Sequence, residues 1–186
     1  NTIKNCTITL NENYPNSIGV FSTSTSVAAG TTLAATSSAG TNSFNTFISN
    51  TISNVAYGIY LIALPVTATV YETGNVIGGS TPVLGNNITF GNTNIALGTG
   101  VWSRFSGVSI AGIHYRNGGD VVIQNNTIAS YPLAYGQVNC GGIFMSSAGT
   151  GGVAPVVAYS ARVSNNTISI VNNGAAATSG IDFGYG

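Results

Sequence analysis

Charge is what this sequence has least of. Four of its 186 residues are Lys or Arg and four are Asp or Glu, so 4% are charged and the net charge is zero. A globular domain ordinarily carries about 25%. Four scattered cations cannot build the basic stripe that neutralises phosphates, which excludes nucleic acid as a partner, and they cannot build a polybasic membrane anchor either. Long hydrophobic runs are also missing. The longest, residues 59–66, is broken by Pro65 and followed by threonines, well short of the ~18 apolar residues of a membrane-spanning helix, so no membrane insertion is expected. One His and two Cys cannot close a zinc site. Phosphate-loop and dinucleotide fingerprints are absent. Neither metal nor cofactor is expected.

What is present is strand and turn chemistry. Gly (25 residues), Asn, Ser and Thr interrupt every window in which a helix could start, while Val, Ile, Thr, Tyr and Phe suit extended chain. A hydrophobic content of 44% argues against disorder.

The strands come in repeats. Val121-Val122-Ile123-Gln124-Asn125-Asn126-Thr127-Ile128 returns forty residues later as Ala161-Arg162-Val163-Ser164-Asn165-Asn166-Thr167-Ile168. The Asn-Thr-Ile phrase also stands at Asn1-Thr2-Ile3 and Asn50-Thr51-Ile52, with weaker copies at Asn75-Val76-Ile77 and Asn87-Ile88-Thr89. A second phrase, Gly plus an aliphatic residue, begins at Gly19, Gly58, Gly112, Gly142 and Gly180, spaced by 30 to 54 residues. Each unit therefore reads as a Gly-Ile strand, a variable loop, a strand, an asparagine corner and a Thr-Ile strand. Irregular spacing is what a solenoid shows when its extra residues form loops; the Ser/Thr/Ala/Gly-rich segments 22–42, 78–85 and 146–154 are the expected loops. Asparagine tolerates the left-handed region and can bond nearby backbone. Stacked on its counterpart one coil away, it forms an amide ladder. Asn50, Asn125, Asn126, Asn165 and Asn166 are the expected structural corners. An antiparallel sandwich or barrel would explain the strands but gives no reason for recurring asparagine corners.

The phrases Ile123-Gln124-Asn125-Asn126-Thr127-Ile128 and Val163-Ser164-Asn165-Asn166-Thr167-Ile168 resemble the repeat of right-handed parallel β-helix proteins, the pectate-lyase-like superfamily. The resemblance covers most of the chain, weakly in 22–45 and 80–105. It implies an all-β chain: a right-handed parallel β-helix of about five irregular coils with long inserted loops. The whole of 1–186 is then one solenoid segment, without polar caps and so an excerpt of a longer repeat protein. The superfamily includes polysaccharide lyases, glycoside hydrolases, phage tailspikes and large secreted bacterial surface proteins; Asn/Thr/Gly-rich repeats with little charge resemble the last group most.

Aligning the Gly-Ile strands with the aliphatic residue inward sends Phe21, Tyr60, His114, Phe144 and Asp182 outward, with Arg116 beside His114. This column is either an open sugar-binding strip, or is covered by the inserted loops or a neighbouring domain. Catalysis finds little support. Glycoside hydrolysis needs two converging carboxylates, and Glu12, Glu72, Asp120 and Asp182 do not clearly share a coil. The superfamily's lyases use acidic clusters for calcium, and no such cluster stands here. His114, Arg116 and Asp120 lie within seven positions, as a base and a carboxylate clamp would, or as a surface His beside an ion pair of little worth. No catalytic residue is assigned. Cys6 and Cys140 fall about three coils apart, roughly 14 Å of rise against a disulfide reach of about 7 Å, so both are expected to be unpaired and packed as small hydrophobes. The glycosylation sequons at Asn5, Asn87, Asn125 and Asn165 mostly coincide with corners and read as structure.

The expected function is a non-catalytic structural or adhesive module of a large secreted, extracellular cell-surface protein, whose partners are polysaccharide, another surface protein or neighbouring repeats of the same chain. The alternative is a polysaccharide-degrading domain or its carbohydrate-binding remnant.

Overall fold

In the computed structural model the repeats become coils of a parallel β-helix. The structure describes residues 1–11, 17–23, 37–62, 72–91, 110–116, 118–132, 140–147, 160–171 and 178–185; Glu12 and most of the expected loops at 22–42 and 146–154 lie outside them. The described strands form three five-stranded sheets, and every pairing is parallel. Each coil contributes one strand to each sheet. The first coil holds β1 (Thr2–Lys4), β2 (Thr7–Thr9) and β3 (Ile18–Thr23). The second holds β4 (Thr46–Ile48), β5 (Thr51–Val55) and β6 (Tyr57–Ile62), and the third β7 (Asn75–Ile77), β8 (Asn87–Phe90) and β9 (Ile110–Arg116). The fourth has β10 (Val121–Gln124), β11 (Thr127–Ser130) and β12 (Cys140–Ser147); the fifth has β13 (Ala161–Ser164), β14 (Thr167–Ser169) and β15 (Thr178–Tyr185).

Period-two alternation makes the core. Along the second sheet Thr51 and Thr127 are exposed while Ile52, Ile88 and Ile128, one residue on, are fully buried. Phe47, Ile77 and Ile123 stack the same way in the first sheet, and Ile59, Ile113 and Ile143 in the third. Each such side chain contributes about 1.5–3 kcal/mol by leaving water. The glycine before the third-sheet aliphatic is a packing requirement: a Cβ on Gly58 would lie 2.3 Å from the Gly112 carbonyl oxygen and 2.4 Å from Ile88 Cγ2.

The corner between the first and second sheets divides its work between two residues. The first takes the left-handed conformation that turns the chain: Asn5, Ser49, Asn125 and Asn165 have φ between 54 and 57°, a region asparagine visits more readily than most residues. The second builds the ladder. Asn50 Nδ2 donates to Asn86 Oδ1 at 3.0 Å, Asn86 Nδ2 to Asn126 Oδ1 at 2.8 Å and Asn126 Nδ2 to Asn166 Oδ1 at 2.9 Å. The remaining hydrogen of each Nδ2 goes back to a carbonyl one coil earlier, on Ile3, Phe47, Ile77 and Ile123. In the third coil this corner carries an insertion. Gly78, at φ 88°, takes the turning position, a short 3-10 helix spans Pro82–Leu84, and Gly79 N donates to the Leu84 carbonyl at 2.9 Å to close the loop before Asn86.

Several expectations are corrected by the register. Asn1-Thr2-Ile3 is not a copy of the corner phrase, because Thr2 pairs with Thr46 and Ile3 with Phe47 in the first sheet. The first coil's corner is Asn5-Cys6, where cysteine holds the ladder position and its N–H donates to Asn50 Oδ1 at 3.1 Å. Asn75-Val76-Ile77 likewise belongs to the first sheet, and Asn87 occupies the threonine place opposite Thr51 and Thr127. The ladder residue there is Asn86. Both cysteines are free, but only Cys140 is buried; Cys6 is exposed and did not pack as a hydrophobe, its thiol donating instead to the Lys4 carbonyl at 3.4 Å.

Candidate functional site

The third sheet brings the column together. Phe21 pairs with Tyr60, Tyr60 with His114, His114 with Phe144 and Phe144 with Asp182, each one coil apart. Parallel in-register stacking puts rings from successive coils in contact, and the distances follow. Tyr60 and His114 stack at 4.4 Å with 5° between planes, His114 meets Phe144 edge-on at 4.8 Å, and Phe21 tilts against Tyr60 at 5.7 Å. Tyr57 adds a second stacked ring on Tyr60 at 5.4 Å. Such contacts are worth about 0.5–1.5 kcal/mol each beyond their buried area.

Accessibility divides the column. Tyr60, His114 and Arg116 are only 3%, 6% and 7% exposed, whereas Phe21, Phe144 and Asp182 are half-buried. The middle of the column is therefore interior, not an open strip; only its flanks reach solvent. Burial, reinforced by the positive charge of Arg116, lowers the His114 pKa to about 3. The imidazole is neutral at ordinary pH and a weak base, which suits a stacked core ring better than proton transfer. Burial pushes the Tyr60 hydroxyl up to about 12 against the opposing influence of Arg116, whose charge and hydrogen bond favour the phenolate.

Asp120 does not complete a set with His114 and Arg116. It lies in the turn leading into β10, exposed, where its Oδ2 accepts from Thr73 Oγ1 at 3.3 Å and its carbonyl from Gly74 N at 2.8 Å. What the fold does bring beside it is Glu72, whose carbonyl accepts from Gly119 N at 2.7 Å. Glu72 is buried, at 3% exposure, and burial raises its carboxyl pKa to about 8, with the Asn75 side chain pulling the other way. The two acids nearest each other thus differ in kind: one buried and neutral at pH 7, one at the surface. Asp182 stands apart on β15, at the end of the aromatic column. Among the described residues no three His, Cys, Asp or Glu side chains converge as a metal site would need.

No family model, no curated protein and no solved structure matches this chain.

Sequence reasoning missed a second ladder at the corner leading into the first sheet. Asn1 Nδ2 donates to Asn45 Oδ1 at 3.0 Å, and Asn45 donates to Asn75 Oδ1 from its backbone N at 2.9 Å and its Nδ2 at 3.3 Å. The local rule is the same as in the other corner: Phe44 and Gly74, the residues before Asn45 and Asn75, have φ of 56° and 68°. The signal was an Asn two residues before an inward aromatic or aliphatic residue, as in Asn45-Thr46-Phe47 and Asn75-Val76-Ile77. The Asn-Thr-Ile pattern of the first corner masked it.

Proposed function

We propose that the chain is a non-catalytic structural module, a stiff rod segment of a large secreted cell-surface protein that displays its loops to polysaccharide or to other surface proteins. The observation that carries this reading is the continuous amide ladder through Asn50, Asn86, Asn126 and Asn166. A ladder of buried, doubly used amides fixes the register of successive coils and resists shear between them. The inward columns lock the same coils by close packing. Low charge and a polar Asn/Thr/Ser exterior suit an extracellular surface, and the resemblance of the corner phrase to surface-protein repeats points the same way.

A carbohydrate-binding remnant is the second reading, favoured by the half-exposed rings of Phe21 and Phe144 at the flanks of the column. A glycan array separates the two. The structural reading expects no glycan retained by the folded chain. A glycan bound by the wild type and lost in Phe21→Ala or Phe144→Ala, with the circular dichroism unchanged, replaces it with the carbohydrate reading.

A further inference from the structure

The second ladder stops inside the molecule, and a buried acid stands where it stops. Asn75 faces Val121 in the next coil, so no fourth amide follows. The Asn75 Oδ1 is taken by the two donors of Asn45, which fixes which end of the amide is the donor. Its Nδ2 is buried and completes no hydrogen bond, and Oε1 of the neighbouring Glu72 is buried and completes none either. A buried donor and a buried acceptor that both lack partners call for an account.

We propose that the Glu72 carboxyl is the end-cap of the Asn1–Asn45–Asn75 ladder, and that it holds the third and fourth coils together only while it is protonated. Either form offers the Asn75 amide an acceptor oxygen, the carboxylate the stronger one, but only the neutral carboxyl escapes the larger cost of burying a charge. A carboxylate in the same place is a buried ion, and among the described residues no cation shifts its pKa against that burial. The groups around it give no relief. Asp120, in the turn of the next coil, would be a like charge. Tyr115 on β9 presents a hydroxyl against Gly118, and Arg116 on the same strand is engaged with Tyr60. The backbone makes the acid a hinge between coils, since Gly119 N bonds the Glu72 carbonyl and Gly74 N bonds that of Asp120. An ionised side chain turning toward water pulls on both.

The direction with pH follows from burial. The carboxyl has a pKa of 4.5 in the unfolded chain and about 8 in the fold, so its stabilising neutral form is fully favoured below 4.5 and is lost as pH rises from there through 8. Urea unfolding of the full chain and of Glu72→Gln from pH 5 to pH 9 then shows the wild-type folding equilibrium constant falling roughly several-hundred-fold relative to that of the variant. This fall comes on top of a rise from pH 5 to about pH 7 common to both, because His114 is held neutral in the fold. Parallel pH profiles for wild type and variant overturn the proposal. If Glu72→Gln fails to fold, hydrogen exchange on the wild type decides. Corrected for intrinsic rates, the Gly74 and Gly119 amides lose more protection between pH 6 and pH 9 than the Thr127 amide beside the first ladder. Equal loss at all three overturns the proposal.

Discussion

Two asparagine ladders run along the same molecule, and they differ in how they end. The ladder between the first and second sheets passes through Asn50, Asn86, Asn126 and Asn166, with the Cys6 N–H joining it at the first coil. The ladder leading into the first sheet has only Asn1, Asn45 and Asn75 before Val121 takes the next place. Both turn the chain with left-handed residues, directly before the amide except at Asn86, whose turning residue Gly78 lies across the insertion, so local conformation does not separate them. The difference lies in the fourth coil, where Asp120-Val121 replaces that pair. An interior rung is satisfied on both sides, whereas the last rung of a truncated ladder leaves a buried amide for some other group to meet. A stacked polar array is only as favourable as its two ends.

The largest expected effect breaks the complete ladder. In Asn126→Ala, Asn86 loses the acceptor for its backbone N and its Nδ2, at 3.0 and 2.8 Å, and the carbonyl of Ile77 and Oδ1 of Asn166 lose a donor. Several buried groups are left bare in a residue only 1% exposed, which costs about 3–5 kcal/mol, read from equilibrium urea unfolding. The matching change in the truncated ladder, Asn75→Ala, strands the two donors of Asn45 and takes the amide from the Glu72 cap, and costs about 2–3 kcal/mol by the same measurement at pH 5. An equal cost at both sites removes the distinction drawn between the ladders. A smaller effect tests the turning residue. Asn125→Ala keeps the ladder but places alanine at φ 57° and removes the Asn125 Nδ2 bond to the Gly79 carbonyl; it costs about 1–2 kcal/mol, and Asn165→Gly, exposed at the same turn, is close to neutral in thermal unfolding. The smallest change adds a rung. Cys6→Asn gives Asn50 Oδ1 a second donor in an exposed corner and raises stability by about 0.5–1 kcal/mol, seen as a higher urea midpoint at unchanged slope.

Much of this was legible in the sequence because it is local and periodic. Ile52, Ile128 and Ile168 are marked inward by alternation alone, and Asn126 and Asn166 by a phrase repeated at a fixed spacing. Asn86 was hidden because the corner insertion at 78–85 separates it from Ile77, so the phrase is split. The second ladder was hidden because Asn45 follows Phe44 and Asn75 follows Gly74, so no Asn-Asn pair marks it, and Asn1-Thr2-Ile3 and Asn75-Val76-Ile77 look like copies of the first corner. The aromatic column was read correctly as a column, and the sequence left open whether it is covered; the burial of Tyr60 and His114 depends on what lies over the sheet, which no periodicity encodes.

The amino-acid sequence by itself therefore determined the class of fold, the parallel stacking of five coils and the inward columns, since side-chain alternation and the left-handed preference of asparagine are properties of neighbouring residues. Tertiary structure alone decided which amide meets which, that cysteine fills one ladder position, and that Glu72 sits buried beside Asn75 and close to Asp120. Those relations join residues that are neighbours only across coils, and the loop lengths that set the register between coils leave no regular mark along the chain.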